Sequence, residues 1–282
     1  GSSLWPMMNT FPDRSFDVGI AEQHAVTFAA GLATQGKKVF AALYSTFLQR
    51  AYDQVIHDVA IQKLPVVFAI DRAGLVGADG PTHHGLYDVS YLRAVPNMIV
   101  SSPMDEQDLR DMLYTASEYN ESAWAIRYPR GRATGMVVRE GFKRIEIGKS
   151  RKIRDGEKIA VLSFGPIGKY VIEASEKLEE NGISIGHFDM RYAKPIDTTL
   201  IDNVIDSYDS VITIEDGTKL GGFGSAVAEY ISEKGAGVPV KIMGVPDTIV
   251  EHGTQRELHD EVGIGPDGIV EEVMKVVAVI AE

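Results

Sequence analysis

The sequence has no cysteine. Disulfide staples, thiolate nucleophiles and cysteine-type zinc sites are excluded, and a reducing compartment, the cytoplasm or a plastid stroma, is the expected setting. Long apolar runs are missing too. The longest, such as residues 65–70, are strand-sized and far short of the ~20 residues that cross a bilayer, so no membrane partner is expected. Residues 1–8 lack a basic segment followed by an apolar stretch; they read as a loop that starts mid-fold, not as a secretory signal. Positive charge is scarce: 28 Lys and Arg against 40 Asp and Glu leave a formal charge of −12. That balance repels phosphodiester backbones and argues against nucleic acid as a partner, yet a local basic pocket can still hold a small phosphate substrate.

What is present is an ordinary globular composition, 44% hydrophobic and 24% charged over 282 residues, enough for one large domain or two average ones. Short β-rich runs alternate with helix-period segments twice over. This predicts an α/β fold in two domains: a doubly wound, mostly parallel sheet over 1–132, and a smaller α/β unit over 158–282. Between them glycine and basic residues accumulate, so 133–157 is expected to be a connector with one short β-like stretch at 144–147. In the first unit strands are expected at 16–20, 38–44, 65–70, 97–101 and 123–128. A helix with the apolar stripe Val26, Ala29, Ala30 and Ala33 ends at Gly36, a second runs over 45–62, and an acidic amphipathic one runs over 104–118.

Four constellations could carry chemistry. Glu22 opens a helix just after an expected strand; a carboxylate there either complements the helix dipole or faces a ligand at the strand's carboxyl end, and position alone leaves both open. Phe47, Arg50 and Gln54 share a helical face by spacing, as a buried ring with a solvated cation would, or as two groups turned to one ligand. The long loop 71–88, with Arg72, Asp79, His83 and His84, interrupts a compact unit, and such loops are often functional. Its adjacent histidines rarely converge on one ion, and no third ligand stands at a metal-type spacing, so no metal site is expected. Arg127-Tyr128-Pro129-Arg130 is a basic cluster at a strand end, either a solvated turn or a phosphate clamp. Gly221-Gly222-Phe223-Gly224 fits neither a Walker loop nor a dinucleotide fingerprint and reads as tight helix packing.

The run FDVGIAEQHAVTFAAGLATQG at 16–36, together with Asp71-Arg72-Ala73-Gly74, Gly80-Pro81-Thr82-His83 and Arg127-Tyr128-Pro129-Arg130-Gly131, resembles the 1-deoxy-D-xylulose-5-phosphate synthases, a branch of the transketolase-type thiamine-diphosphate enzymes. The resemblance runs from about Phe11 to Val273. It implies a pyrimidine-binding domain followed by a transketolase carboxy-terminal domain. It also implies a transferase joining pyruvate to glyceraldehyde 3-phosphate, for isoprenoid precursor, thiamine and pyridoxal biosynthesis. By the same match Glu22 contacts N1′ of the cofactor's aminopyrimidine and Phe47 stacks on that ring. Asp79 and His83 face the reacting donor, Tyr44 and Arg50 line the substrate channel, and Arg72 and Arg130 bind the acceptor phosphate. Magnesium ligands, and the Gly-Asp-Gly segment that accompanies them, are expected in an amino-terminal cofactor-binding domain or chain, and the full enzyme is expected to be a homodimer. A split transketolase, a 2-oxo-acid dehydrogenase β subunit, or a non-catalytic interaction module of the same fold are the alternatives.

Overall fold

The protein is described by a computed structural model covering residues 4–133 and 135–280. Five strands build the first sheet, four of them from the first unit. β1 (Val39–Tyr44), β2 (Val66–Asp71), β3 (Met98–Ser101) and β4 (Ala123–Arg127) form the parallel series β1-β2-β4-β3. Every residue of β2, β3 and β4 is buried, which explains their continuous apolar reading: helices cover both faces of a parallel sheet.

The second sheet collects β5 (Arg151–Arg154), β6 (Ile159–Phe164), β7 (Gly186–Asp189), β9 (Ser210–Thr218) and β10 (Val240–Val245) in the order β10-β9-β6-β7-β5. Only β5 is antiparallel in it. β8 (Tyr192–Lys194), although it follows β7 in the chain, crosses over and pairs antiparallel with β3. The second half therefore closes the edge of the first half's sheet. One apolar cluster likewise joins Phe68 and Leu92 to Phe164 and Phe223 across the two halves.

Several expectations are corrected. Residues 16–20 form no strand; they are an irregular lead into the helix Glu22–Thr34, whose buried residues are Val26, Ala29, Ala30 and Ala33. Part of the opening segment read as loop is a short helix, Trp5–Thr10; Gly1, Ser2 and Ser3 lie outside the described residues. The expected helix 45–62 is broken into α, 3-10, α and π turns from Ser45 to Ala60, a winding that lets successive side chains leave the regular helical faces. Residues 144–147 form no strand, whereas β5 lies inside the expected connector 133–157 and pairs with β7. The glycine turn before the helix Phe223–Glu233 is a packing device: a Cβ at Gly222 would stand 2.5 Å from the Glu215 carboxylate, and one at Gly224 would stand 2.5 Å from Thr213 Oγ1.

Candidate active site

Parallel strands share a direction, so their carboxyl ends share an edge, and the loops that follow converge there. β1 ends at Tyr44 opposite Asp71 at the end of β2, and Ile70 of β2 is opposite Arg127 at the end of β4. From this edge a continuous string of contacts runs through the eight residues to which the resemblance gives a role; Gln54, His84 and Arg127 are not part of it. Arg50 Nη1 donates to Glu22 Oε2 at 3.1 Å, and the same guanidinium lies over the Phe47 ring, 4.6 Å from its centroid. Phe47 stacks with Tyr44 at 5.7 Å and meets the His83 ring edge-on at 5.3 Å. Arg72 lies 3.9 Å over the Tyr44 ring. Asp79 Oδ2 sits between two cations, 3.8 Å from Arg72 Nε and 3.3 Å from Arg130 Nε.

Local backbone makes this convergence possible. Arg72 adopts φ 58 directly after β2, left-handed backbone that costs a non-glycine residue ~1 kcal/mol or more and persists where its surroundings over-determine it. Here Arg72 N donates to Asp71 Oδ1 at 2.7 Å, Arg72 Nη1 donates to Asp71 Oδ2 at 3.0 Å, and Ala73 N donates to Tyr128 O at 3.0 Å. Burial pushes the Asp71 carboxyl up, with Arg72 working against that shift. At Glu22 no side-chain bond caps the helix; its carboxylate, 11% exposed, is taken by Arg50 instead.

The adjacent histidines diverge. His83 Nδ1 lies 2.8 Å from Thr82 Oγ1, while His84 Nδ1 accepts from Val76 N at 3.1 Å and its Nε2 is 3.4 Å from Glu251 O. Burial pushes the His84 imidazole down, consistent with an accepting ring nitrogen. Among the described residues no group of three or more His, Asp or Glu side chains could hold a metal ion.

The arrangement offers a shielded carboxylate beside an aromatic face, suited to a flat heteroaromatic amine, and a pair of guanidinium groups suited to a phosphate monoester. Some residues that hold this site carry no specific signal in the sequence: Arg127 stands there only as one member of a basic cluster, and Asp216 and Gln255 stand outside the four constellations. Arg127, with a side chain 2% exposed, donates through Nε to Asp88 Oδ2 at 3.0 Å and through Nη2 to Asp216 O at 2.9 Å. Gln255 Nε2 donates to Leu75 O at 2.8 Å. Nothing local distinguishes a buried structural arginine from a solvated one, and Asp216 and Gln255 are 141 and 180 residues from their partner Leu75.

Residues 1–135 match the family described as "Transketolase, pyrimidine binding domain", and residues 148–269 match "Transketolase, C-terminal domain". The 1-deoxy-D-xylulose-5-phosphate synthase of Cytophaga hutchinsonii is 53% identical over 281 residues, covering 99% of this chain and 44% of that protein. That of Aquifex aeolicus is 55% identical over 273 residues, 97% of this chain and 43% of that protein. The chain thus spans less than half the length of these curated relatives. Among solved structures, a "Split gene transketolase, inactive beta4 tetramer" superposes with a TM-score of 0.83 at 32% identity, covering 95% of this chain and 85% of that one.

Proposed function

This chain belongs to the transketolase family, and on that premise we propose that it supplies the pyrimidine-side half of a thiamine-diphosphate active site of the 1-deoxy-D-xylulose-5-phosphate synthase kind. The reaction would decarboxylate pyruvate and join the remaining two-carbon unit to D-glyceraldehyde 3-phosphate. The observation that carries this reading is the unbroken contact string from Glu22 through Arg50, Phe47, Tyr44, Arg72 and Asp79 to Arg130. The identity of about half with the curated synthases supports the same branch.

Thiamine diphosphate, when bound, supplies a nucleophilic carbon and an electron sink. The residues of this chain fit its aminopyrimidine end. Glu22, shielded at 11% exposure, would hold a proton against the ring nitrogen N1′, and Phe47 would give the ring its flat contact. Tyr44 and Arg50 would line the donor's approach. Asp79 and His83 would exchange protons with the donor, and Arg72 and Arg130 would grip the acceptor's phosphate with two planar forks. Mg2+ and the diphosphate would be held by an amino-terminal domain or chain, in a homodimer of the full enzyme. The cysteine-free composition favours a reducing compartment such as the cytoplasm.

Substituting Glu22→Gln tests the reading. In the enzyme assembled with its amino-terminal half, hydrogen–deuterium exchange at the cofactor's thiazolium carbon is expected to slow by orders of magnitude, with pyruvate decarboxylation falling in parallel. Wild-type exchange in the variant would remove Glu22 from catalysis. A second reading, a split transketolase, is favoured by the similarity to the split-gene structure. Product analysis separates the two: deoxyxylulose phosphate from pyruvate supports the synthase, and ketol transfer between sugar phosphates supports the transketolase.

A further inference from the structure

The loop between β2 and the helix Asp88–Arg93 belongs by sequence to the first half, yet its anchors lie in the second. Leu75 and Leu86 are buried in the apolar cluster of the carboxy-terminal half, with Ile212, Ile214 and Val245. The loop's neck is closed by a pair of 2.8 Å bonds between Gly74 and Gly85, and Leu86 O accepts from Thr218 N at 3.0 Å. At Leu75 both backbone polar groups are taken from the same side of the molecule. Leu75 N donates to Asp216 Oδ1 at 3.0 Å, and Leu75 O accepts from Gln255 Nε2 at 2.8 Å.

We propose that Asp216 and Gln255 are positioning residues, which hold the backbone of Leu75 and thereby set the loop that carries Arg72, Asp79 and His83. As a statement about catalysis this rests on the reading above. Both grips are themselves fixed. Asp216 lies 3.0 Å from His259 Nε2, and His259 Nδ1 lies 3.3 Å from Tyr170 OH. Burial pushes the Asp216 carboxyl up, but the His259 imidazole, the Leu75 amide and the Arg127 cation together outweigh this and keep it below its usual range, in keeping with a carboxylate acceptor for Leu75 N. Gln255 begins a helix whose N-cap, Thr254, forms a full capping box with Glu257.

The tip of the loop rests on the same segment. A Cβ at Gly77 would lie 3.1 Å from Gln255 N, and one at Gly80 would lie 2.1 Å from the His252 ring. Asp79 and His83 thus lie on a stretch of chain pinned at Leu75 and Leu86, with its underside against residues 252–255. A loop held at one buried residue by two hydrogen bonds transmits any loosening there to the side chains beyond it.

Gln255→Met keeps the side chain's length and apolar stem while removing the donor to Leu75 O. On the chain itself, amide hydrogen exchange followed by peptide mass spectrometry is expected to speed by about tenfold in the segment 74–85, the effect of one lost buried hydrogen bond. Exchange in β2, β4, β6 and β9 should not change. In the assembled enzyme the same variant should raise KM for the phosphorylated aldehyde by about tenfold, while exchange at the cofactor's thiazolium carbon stays at the wild-type rate. Unchanged exchange in 74–85 overturns the proposal, as does acceleration spread over both sheets, which would signify general destabilisation. Faster loop exchange with an unchanged KM overturns the catalytic part. The exchange arm stands apart from the functional reading: full activity in Glu22→Gln would sink that reading and leave the hold on Leu75 to be judged by exchange alone.

Discussion

Arg50 reaches Glu22 across 28 positions of sequence, its Nη1 3.1 Å from the carboxylate, while its guanidinium also covers the Phe47 ring. The pair is lopsided: Arg50 is 53% exposed and Glu22 11%. A half-solvated cation contributes little to folding, typically under ~1 kcal/mol for such a pair. Arg50→Met is therefore expected to leave the unfolding free energy from urea titration within ~0.5 kcal/mol of wild type. Donor affinity in the assembled enzyme should fall by about tenfold. A large stability loss with unchanged KM for pyruvate would reassign Arg50 to the fold.

Asp79 occupies the space between the two guanidinium groups proposed above to grip a phosphate. Its Oδ2 lies within 3.8 Å of Arg72 Nε and 3.3 Å of Arg130 Nε, so an anion must displace it or share the two cations. Asp79→Asn is expected to tighten binding of inorganic phosphate to the chain, and Arg130→Ala to weaken it, each by several-fold because the groups are part solvated. Calorimetric titration at low salt checks both directions. Weaker phosphate binding in Asp79→Asn would show that the carboxylate organises the arginines and does not compete for them.

Much of this site could be read from sequence because it is local. Tyr44, Phe47 and Arg50 lie on one broken helix turn and the strand before it, and Arg72 and Asp79 lie on one loop. The strands were legible where both faces are buried, as at 66–71. The stretch 16–20 misled because Phe16 and Ile20 look apolar and strand-like, yet they are 60% and 91% exposed and pair with no strand. What sequence could not show is the crossing of chain halves. β8 closing the first sheet and Asp216 holding Leu75 depend on tertiary pairing, and no periodicity encodes either.

Glu215 gives a pH signature with a definite sign. Burial pushes its carboxyl up from 4.5 to about 7, opposed by the amides of Gly224 and Phe223. A raised folded pKa means the folded state keeps a proton that the unfolded chain has released. The stabilising contribution is complete below about pH 4.5 and is lost as pH rises through about 7. Glu215→Gln cannot titrate. It is expected to be close to wild type at the acid end of this window and more stable above it, by ~1–3 kcal/mol at one pKa unit per ~1.4 kcal/mol. Burial holds His187 down at about 3, which acts with opposite sign but cancels in the comparison of variant with wild type. Parallel urea curves for the two proteins across this pH range would refute the assignment.

Arg127 and Asp88 form a buried pair, their side chains 2% and 1% exposed. Arg127 Nε donates to Asp88 Oδ2 at 3.0 Å, and Nη2 reaches Asp216 O at 2.9 Å and Gly85 O at 3.4 Å. One guanidinium thus ties the end of β4, the neck of the loop 74–85 and β9 of the second half. Burial alone would pull its pKa down, but Asp88, Asp216 and Glu215 together outweigh that and hold it up, so the guanidinium stays a cation. Removing one partner strands the other charge, which costs ~3–5 kcal/mol, whereas replacing both with neutral groups of similar shape is often near neutral. Arg127→Met is expected to fall in that range, and Arg127→Met combined with Asp88→Asn to recover more than half of the loss. A double-mutant cycle in urea measures the coupling. The combined variant should nonetheless leave Gly85 O and Asp216 O without the Nη2 donor, so its loop should exchange amide protons faster than wild type even where global stability returns. Restored stability together with wild-type exchange across 74–85 would mean that the hold on Leu75 suffices and that Arg127 serves the fold alone.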